Sequence, residues 1–106
     1  MLVMLTMNVF KHGSTFAFVA NITDSAGAPL LNLTSKLKCD IRDVNNKLIS
    51  NVEITDLTGG AYKFMVDDTS TWPLTGYVYT DIKYVSDGVI SYSETIEIPL
   101  EKEVTK

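Results

Sequence analysis

Hydrophobic and polar positions alternate along most of this chain. From Thr15 to Thr23 the even positions are Phe16, Phe18, Ala20 and Ile22. From Lys36 to Arg42, Leu37, Cys39 and Ile41 alternate with Lys36, Lys38, Asp40 and Arg42. Leu48, Val52 and Ile54 share a face with Ser50, and Tyr62, Phe64 and Val66 share another. Val78, Ile82 and Tyr84 line up in Tyr77 to Val85, and Ile90, Tyr92, Ile96 and Ile98 in Val89 to Leu100, interrupted by Glu94. A period of two is that of a strand with one buried face and one wet face. Leu2 to Phe10 is apolar on both faces through its first half and reads as a strand covered on both sides.

Turn chemistry separates these runs. Asp24-Ser25-Ala26-Gly27 precedes Pro29, Asp43-Val44-Asn45-Asn46 closes a short hairpin, Asp56 to Gly60 closes another, and Ser86-Asp87-Gly88 a third. Asp and Asn side chains mimic backbone turns, and Gly permits positive φ. Seven strands at this spacing predict an all-β fold, a single antiparallel β-sandwich of immunoglobulin-like type spanning residues 1–106. Asp67 to Leu74 breaks the period. Asp68 or Thr69 is placed to cap one helical turn stopped by Pro73, with Trp72 plugging the sandwich end.

Composition narrows the function classes. The 106 residues are 45% hydrophobic and 21% charged, enough for one modest core. The net charge is -4 and the nine Lys and Arg are scattered, so no basic face for nucleic acid is expected. No apolar run approaches the roughly 18 residues that a membrane span needs. The opening MLVMLTM lacks a basic flank and a small-residue cleavage site, so it does not read as a signal peptide. Cys39 is the one cysteine, which excludes an internal disulfide and fits synthesis in a reducing cytoplasm.

The residues that carry chemistry are sparse. His12 is the single histidine and reads as a loop residue, because a metal site or triad needs partners. Cys39, alternating with charges on a strand, reads as a small buried apolar residue. The acid pairs Asp67-Asp68 and Glu94 with Glu97 do not form a catalytic constellation. Calcium at convergent Asp24, Asp43 and Asp87 is the weaker alternative to their role as turn formers. No catalytic residue, cofactor or metal is therefore expected, and a small-molecule ligand is disfavoured. Tyr77 and Tyr79 share the face opposite Val78 and Ile82. They suit an interface, or, together with Trp72, Tyr62, Tyr84 and Tyr92, a platform on which a sugar ring stacks.

The order of the segments carries a resemblance. The chain reads KHGSTFAF, then ITDSAGAPLLNLTS, then KLKCDIRD, then ITDLTGGAYKFMV, then TWPLTGYVYTDIKY, and closes on EVT. From about Phe10 to Thr105 it resembles a family of small phage and prophage proteins encoded among virion structural genes. More loosely, it is similar to the N-terminal domain of phage upper baseplate proteins. Ser14 stands where the family often has Asp, and Ser35-Lys36 where it often has Gly-Tyr. The resemblance implies a non-enzymatic module of tail or baseplate, made in the bacterial cytoplasm and assembled into the particle. Its implied partners are other virion proteins and further copies of itself. A two-sided apolar strand invites oligomerisation or strand exchange. The expected contact surfaces are therefore Met1, Val3, Leu5 and Met7, and the outward pair Tyr77 and Tyr79. The charged tail Pro99 to Lys106 suits docking on a neighbour. A carbohydrate- or receptor-binding module on the same sandwich is the alternative function.

Overall fold

The structure, a computed structural model, describes residues 2–6, 10–11, 14–73 and 76–101. The strands are β1 (Leu2–Thr6), β2 (Phe10–Lys11), β3 (Phe16–Thr23), β4 (Leu37–Arg42), β5 (Leu48–Asn51), β6 (Glu53–Asp56), β7 (Ala61–Val66), β8 (Gly76–Thr80), β9 (Ile82–Ser86), β10 (Val89–Tyr92) and β11 (Ile96–Glu101). Each of the seven expected runs contains strand, and four are divided in two. No helix occurs among the described residues.

The smaller sheet has the order β1-β3-β7-β6. The larger runs β10-β9-β4-β8-β11-β2, with β5 paired to β4. Two of the breaks have plain causes in the pairing. The first run divides its loyalty, β1 lying antiparallel on β3 and β2 parallel on β11. The run from Leu48 to Asp56 changes sheets at Val52, so β5 pairs β4 while β6 pairs β7. Together these crossings lace the two layers into an all-β sandwich, antiparallel but for the parallel pair β2–β11.

The remaining breaks lie in the long hairpin of β8–β9 and β10–β11. Asp87 and Gly88 both take positive φ, 52° and 79°, giving the two-residue turn that matches strand twist. Below the turn the register slips by one between the Lys83–Tyr92 pair and the Thr80–Ile96 pair, a β-bulge around Ser93 to Thr95. Ile82 saturates itself on Ser93. Its N–H donates to Ser93 Oγ at 2.8 Å, and its carbonyl accepts the Ser93 N–H at 2.9 Å.

That extra residue reverses parity. Ile96, Ile98 and Leu100 are buried, whereas Ile90 and Tyr92, expected on the same face, are 54% and 59% exposed. Leu48 likewise turns outward opposite Arg42, because the β4–β5 register shifts between Ile41 and Arg42. The expected helical turn is only a turn. Ser70 N–H donates to Asp68 Oδ1 at 2.9 Å and Trp72 N–H to Thr69 O at 3.0 Å.

The core lies between the layers and is led by Phe16, Phe18, Tyr62, Phe64, Ile22, Ile41, Ile82 and Ile98. Phe18 stacks on Phe64 at 4.8 Å, and Phe16 tilts against both Phe18 and Trp72. Tyr62 extends the core into a loop: its hydroxyl donates to Leu30 O at 2.7 Å and accepts the Leu33 N–H at 3.3 Å. Truncating Phe64 to Ala should cost about 3–5 kcal/mol in urea unfolding, as for other buried aromatics. Gly60 and Gly59 provide a paired comparison, both at positive φ. A Cβ on Gly60 would stand 2.7 Å from Pro29 Cβ, whereas at Gly59 it meets open space. Gly60→Ala should therefore destabilise more than Gly59→Ala, which carries only the left-handed backbone cost of about 1–2 kcal/mol.

Candidate functional site: the outward face of the larger sheet

Strand parity builds this site. Thr80 and Ile82 point inward and are buried, so Tyr79, Asp81 and Lys83 point outward. Cys39 and Ile41 are buried on β4, which turns Lys38, Asp40 and Arg42 to the same outer side. These residues line one shallow depression of about 710 Å³, with Tyr92 and Thr95 on one flank and the 43–46 turn on the other. Tyr77, 51% exposed, continues the row beyond Tyr79.

The backbone beneath is pinned from inside. Thr80 Oγ1 donates to Asp40 O at 2.7 Å, which spends its single hydrogen, and it lies 3.0 Å from Cys39 Sγ. Burial pushes the Cys39 thiol up to about 12, and the carboxylates of Asp40 and Asp81 add to the rise against the opposing Thr80 bond. This cysteine is a core residue, as the sequence predicted.

Charge on the face is arranged in rows. Lys38 stands directly opposite Lys83, and Arg42 opposite Tyr79. The same register sets Asp40 abreast of Asp81, like charge beside like charge. Arg42 Nη2 reaches Asp40 Oδ2 at 3.9 Å, and both side chains are about two-fifths exposed, so this pair contributes little.

The expected site residues separate. Tyr77 and Tyr79 share the outer face, as read from the alternation. Trp72 is only 3% exposed, packs on Phe16 and donates its Nε1–H to Ser50 Oγ at 2.9 Å. It is the plug of the sandwich end, so a Trp72–Tyr77–Tyr79 platform does not form. Tyr79 lines the larger depression, and Trp72 a different one of about 480 Å³ beside Leu48 and Pro73. Val3 packs against the core, opposite buried Ile22, which withdraws it as an outward contact; the backbone of Leu5 is in register with Ala20. Met1, Met7, His12 and the tail beyond Glu101 lie outside the described residues.

The turn aspartates act locally. Asp24 Oδ1 accepts the N–H groups of Ala26 and Ala28, and Asp43 Oδ1 those of Asn45 and Lys47, at 2.8–3.0 Å. Among the described residues no three His, Cys, Asp or Glu side chains gather as metal ligands would. The sequence lines Tyr92 up with Ile96 and Ile98 and does not order the charges into rows across strands. Their signal was present as charges at every second position of KLKCDIRD and of YTDIK, but Tyr92 joins them only through the bulge.

Compared with known proteins, the chain matches no family model and no curated protein.

Cys39 provides a check on this geometry. Its folded value lies above the ordinary 9.0, so the neutral thiol is favoured by folding. That contribution is fully present below pH 9 and should be lost as pH rises from about 9 towards 12. A thiol reagent at pH 8 should label Cys39 only in denaturant; rapid labelling of the folded chain would contradict the buried Cys39–Thr80 contact.

Proposed function

We propose that this chain is a non-enzymatic structural and interaction module of a bacteriophage or prophage particle, in tail or baseplate, acting through protein–protein contacts. The observation that supports this reading is the outer face of the larger sheet. Tyr77, Tyr79, Tyr92 and Ile90 are set on rigid strands among charged rows. Aromatic anchors between charges are the composition of interface cores and rims. The strand β10 lies at the edge of the sheet among the described residues and adds Val89 and Ile90, both exposed, a surface that a neighbouring chain covers readily. The phage context rests on the segment order described above, from GSTF through CDIRD and TWPLTGYVYTDIKY to EVT.

A carbohydrate- or receptor-binding role has one observation in its favour. Tyr79 and Tyr92 flank a depression furnished with hydrogen-bonding groups.

Two measurements separate these readings. Mass spectrometry of density-purified particles from cells that encode the chain should find it as a stoichiometric component. Its absence from particles, with presence in the lysate, would overturn the structural reading. Glycan-array binding that disappears in Tyr92→Ala would favour the carbohydrate role instead, and we expect no such binding.

A further inference from the structure

We propose that the outer face of the larger sheet is a self-complementary dimer interface, in which Asp81 of each copy faces Lys83 of the other. This deepens the protein-contact reading above and rests on it, naming the partner as a second copy of this chain.

The argument starts from the register. β4 and the β8–β9 ribbon keep one pairing throughout: Leu37 with Tyr84, Lys38 with Lys83, Cys39 with Ile82, Arg42 with Tyr79. The Val85 N–H donates to Lys36 O at 3.0 Å, extending the same pairing to the start of β4. The outer face therefore has a lysine row, Lys38 and Lys83, next to an aspartate row, Asp40 and Asp81. Within each row like charges sit directly across strands, an arrangement that disfavours the isolated sheet. A fold that needed only solubility would mix the signs within each row.

The rows become complementary under one operation. Consider a two-fold axis lying over the face, perpendicular to the strands, midway between the lysine and aspartate rows. It reverses strand direction and lays the aspartate row of one copy on the lysine row of the other. Along β8–β9 the outward residues are Tyr79, Asp81, Lys83 and Val85. Reversed, they match position by position: aromatic on aliphatic, acid on base, base on acid, aliphatic on aromatic. β4 repeats the central match with Asp40 on Lys38. Its one mismatch, Lys36 against Arg42, falls at the rim, where salt and water screen it.

Distance agrees with this. Facing sheets stack about 10 Å apart, a gap that a lysine and an aspartate reach across together. The depression of about 710 Å³ on each copy receives the long side chains of the other. An interface of this kind is isologous and closes at two copies, so it does not propagate into fibres.

The test is a pair of charge swaps on the full chain, read as molar mass by sedimentation velocity over a concentration series. The unaltered chain should dimerise, more weakly as salt is raised. Asp81→Lys creates lysine against lysine, and Lys83→Asp aspartate against aspartate. Each should weaken self-association at least tenfold. Mixed together, the two variants should recover the dimer, because every cross-pair is again acid on base. Unfolding midpoints report whether each variant folds; if either does not, Lys38→Asp and Asp40→Lys pose the same question one strand over. A dimer untouched by either swap would overturn this surface and leave the protein-contact reading intact. A monomer at every concentration would overturn the second copy as partner, while particle mass spectrometry decides the structural role separately.

Discussion

The structure depends on one packed seam of aromatic rings. Phe16, Phe18 and Phe64 meet across neighbouring strands of the smaller sheet, and Trp72 closes their end at 5.5 Å from Phe16. Dense contact of this kind tolerates no slip, because moving a strand by one residue would carry its whole apolar set to solvent. The seam thus sets the parity of β3 and β7. The opposing layer must then present Ile41, Val78, Ile82 and Ile98 to it. Every outward position is the complement of that choice. The composition of the outer face is therefore unconstrained by the core, and its tyrosines and ordered charges carry information that folding did not require.

Most of the architecture was legible because alternation and turn chemistry are local. Phe16 to Thr23, Leu37 to Arg42 and Ala61 to Val66 are strands within a residue or so of their expected bounds, and Asp87-Gly88 makes the turn that its residue types suggest. What escaped was non-local. Nothing in Ser93 to Thr95 announces a bulge, since the extra residue is defined only against Asp81 and Ile82 on the partner strand. A straight reading across it assigned Ile90 and Tyr92 to the core. The sheet change at Val52 is invisible for the same reason, as its two halves find different partners.

The site was half legible by the same standard. Tyr77 and Tyr79 follow from parity within one strand. Trp72 entered the core because a short turn, tied by Thr69 Oγ1 donating to Ser14 O at 2.6 Å, swings its ring over Phe16. The plug expected from the break in period is therefore the reading that holds for Trp72, and the sugar platform is the one that fails. Val3 was read as a contact residue on its apolar character alone, yet pairing with Ile22 places it over the core. Apolar sequence at a sheet edge does not distinguish a residue that serves its own core from one that serves a neighbour.

That distinction bears on how such a domain would work in an assembly. A sandwich laced by runs that change sheets has little freedom to shear, since β5 and β6 are one continuous stretch held in both layers. Its outer faces are presented as fixed surfaces, so contacts made there lose little conformational entropy on binding. The bulge belongs to the same economy. By reversing parity once, it brings Tyr92 out beside Lys83 while Ile96 and Ile98 stay in, so a single hairpin supplies both core and outer face. Restoring regular pairing there would return Tyr92 to the core side of the sheet and remove the flank of the depression. The bulge is thus the local device that separates what this hairpin buries in the core from what it presents on the outer face.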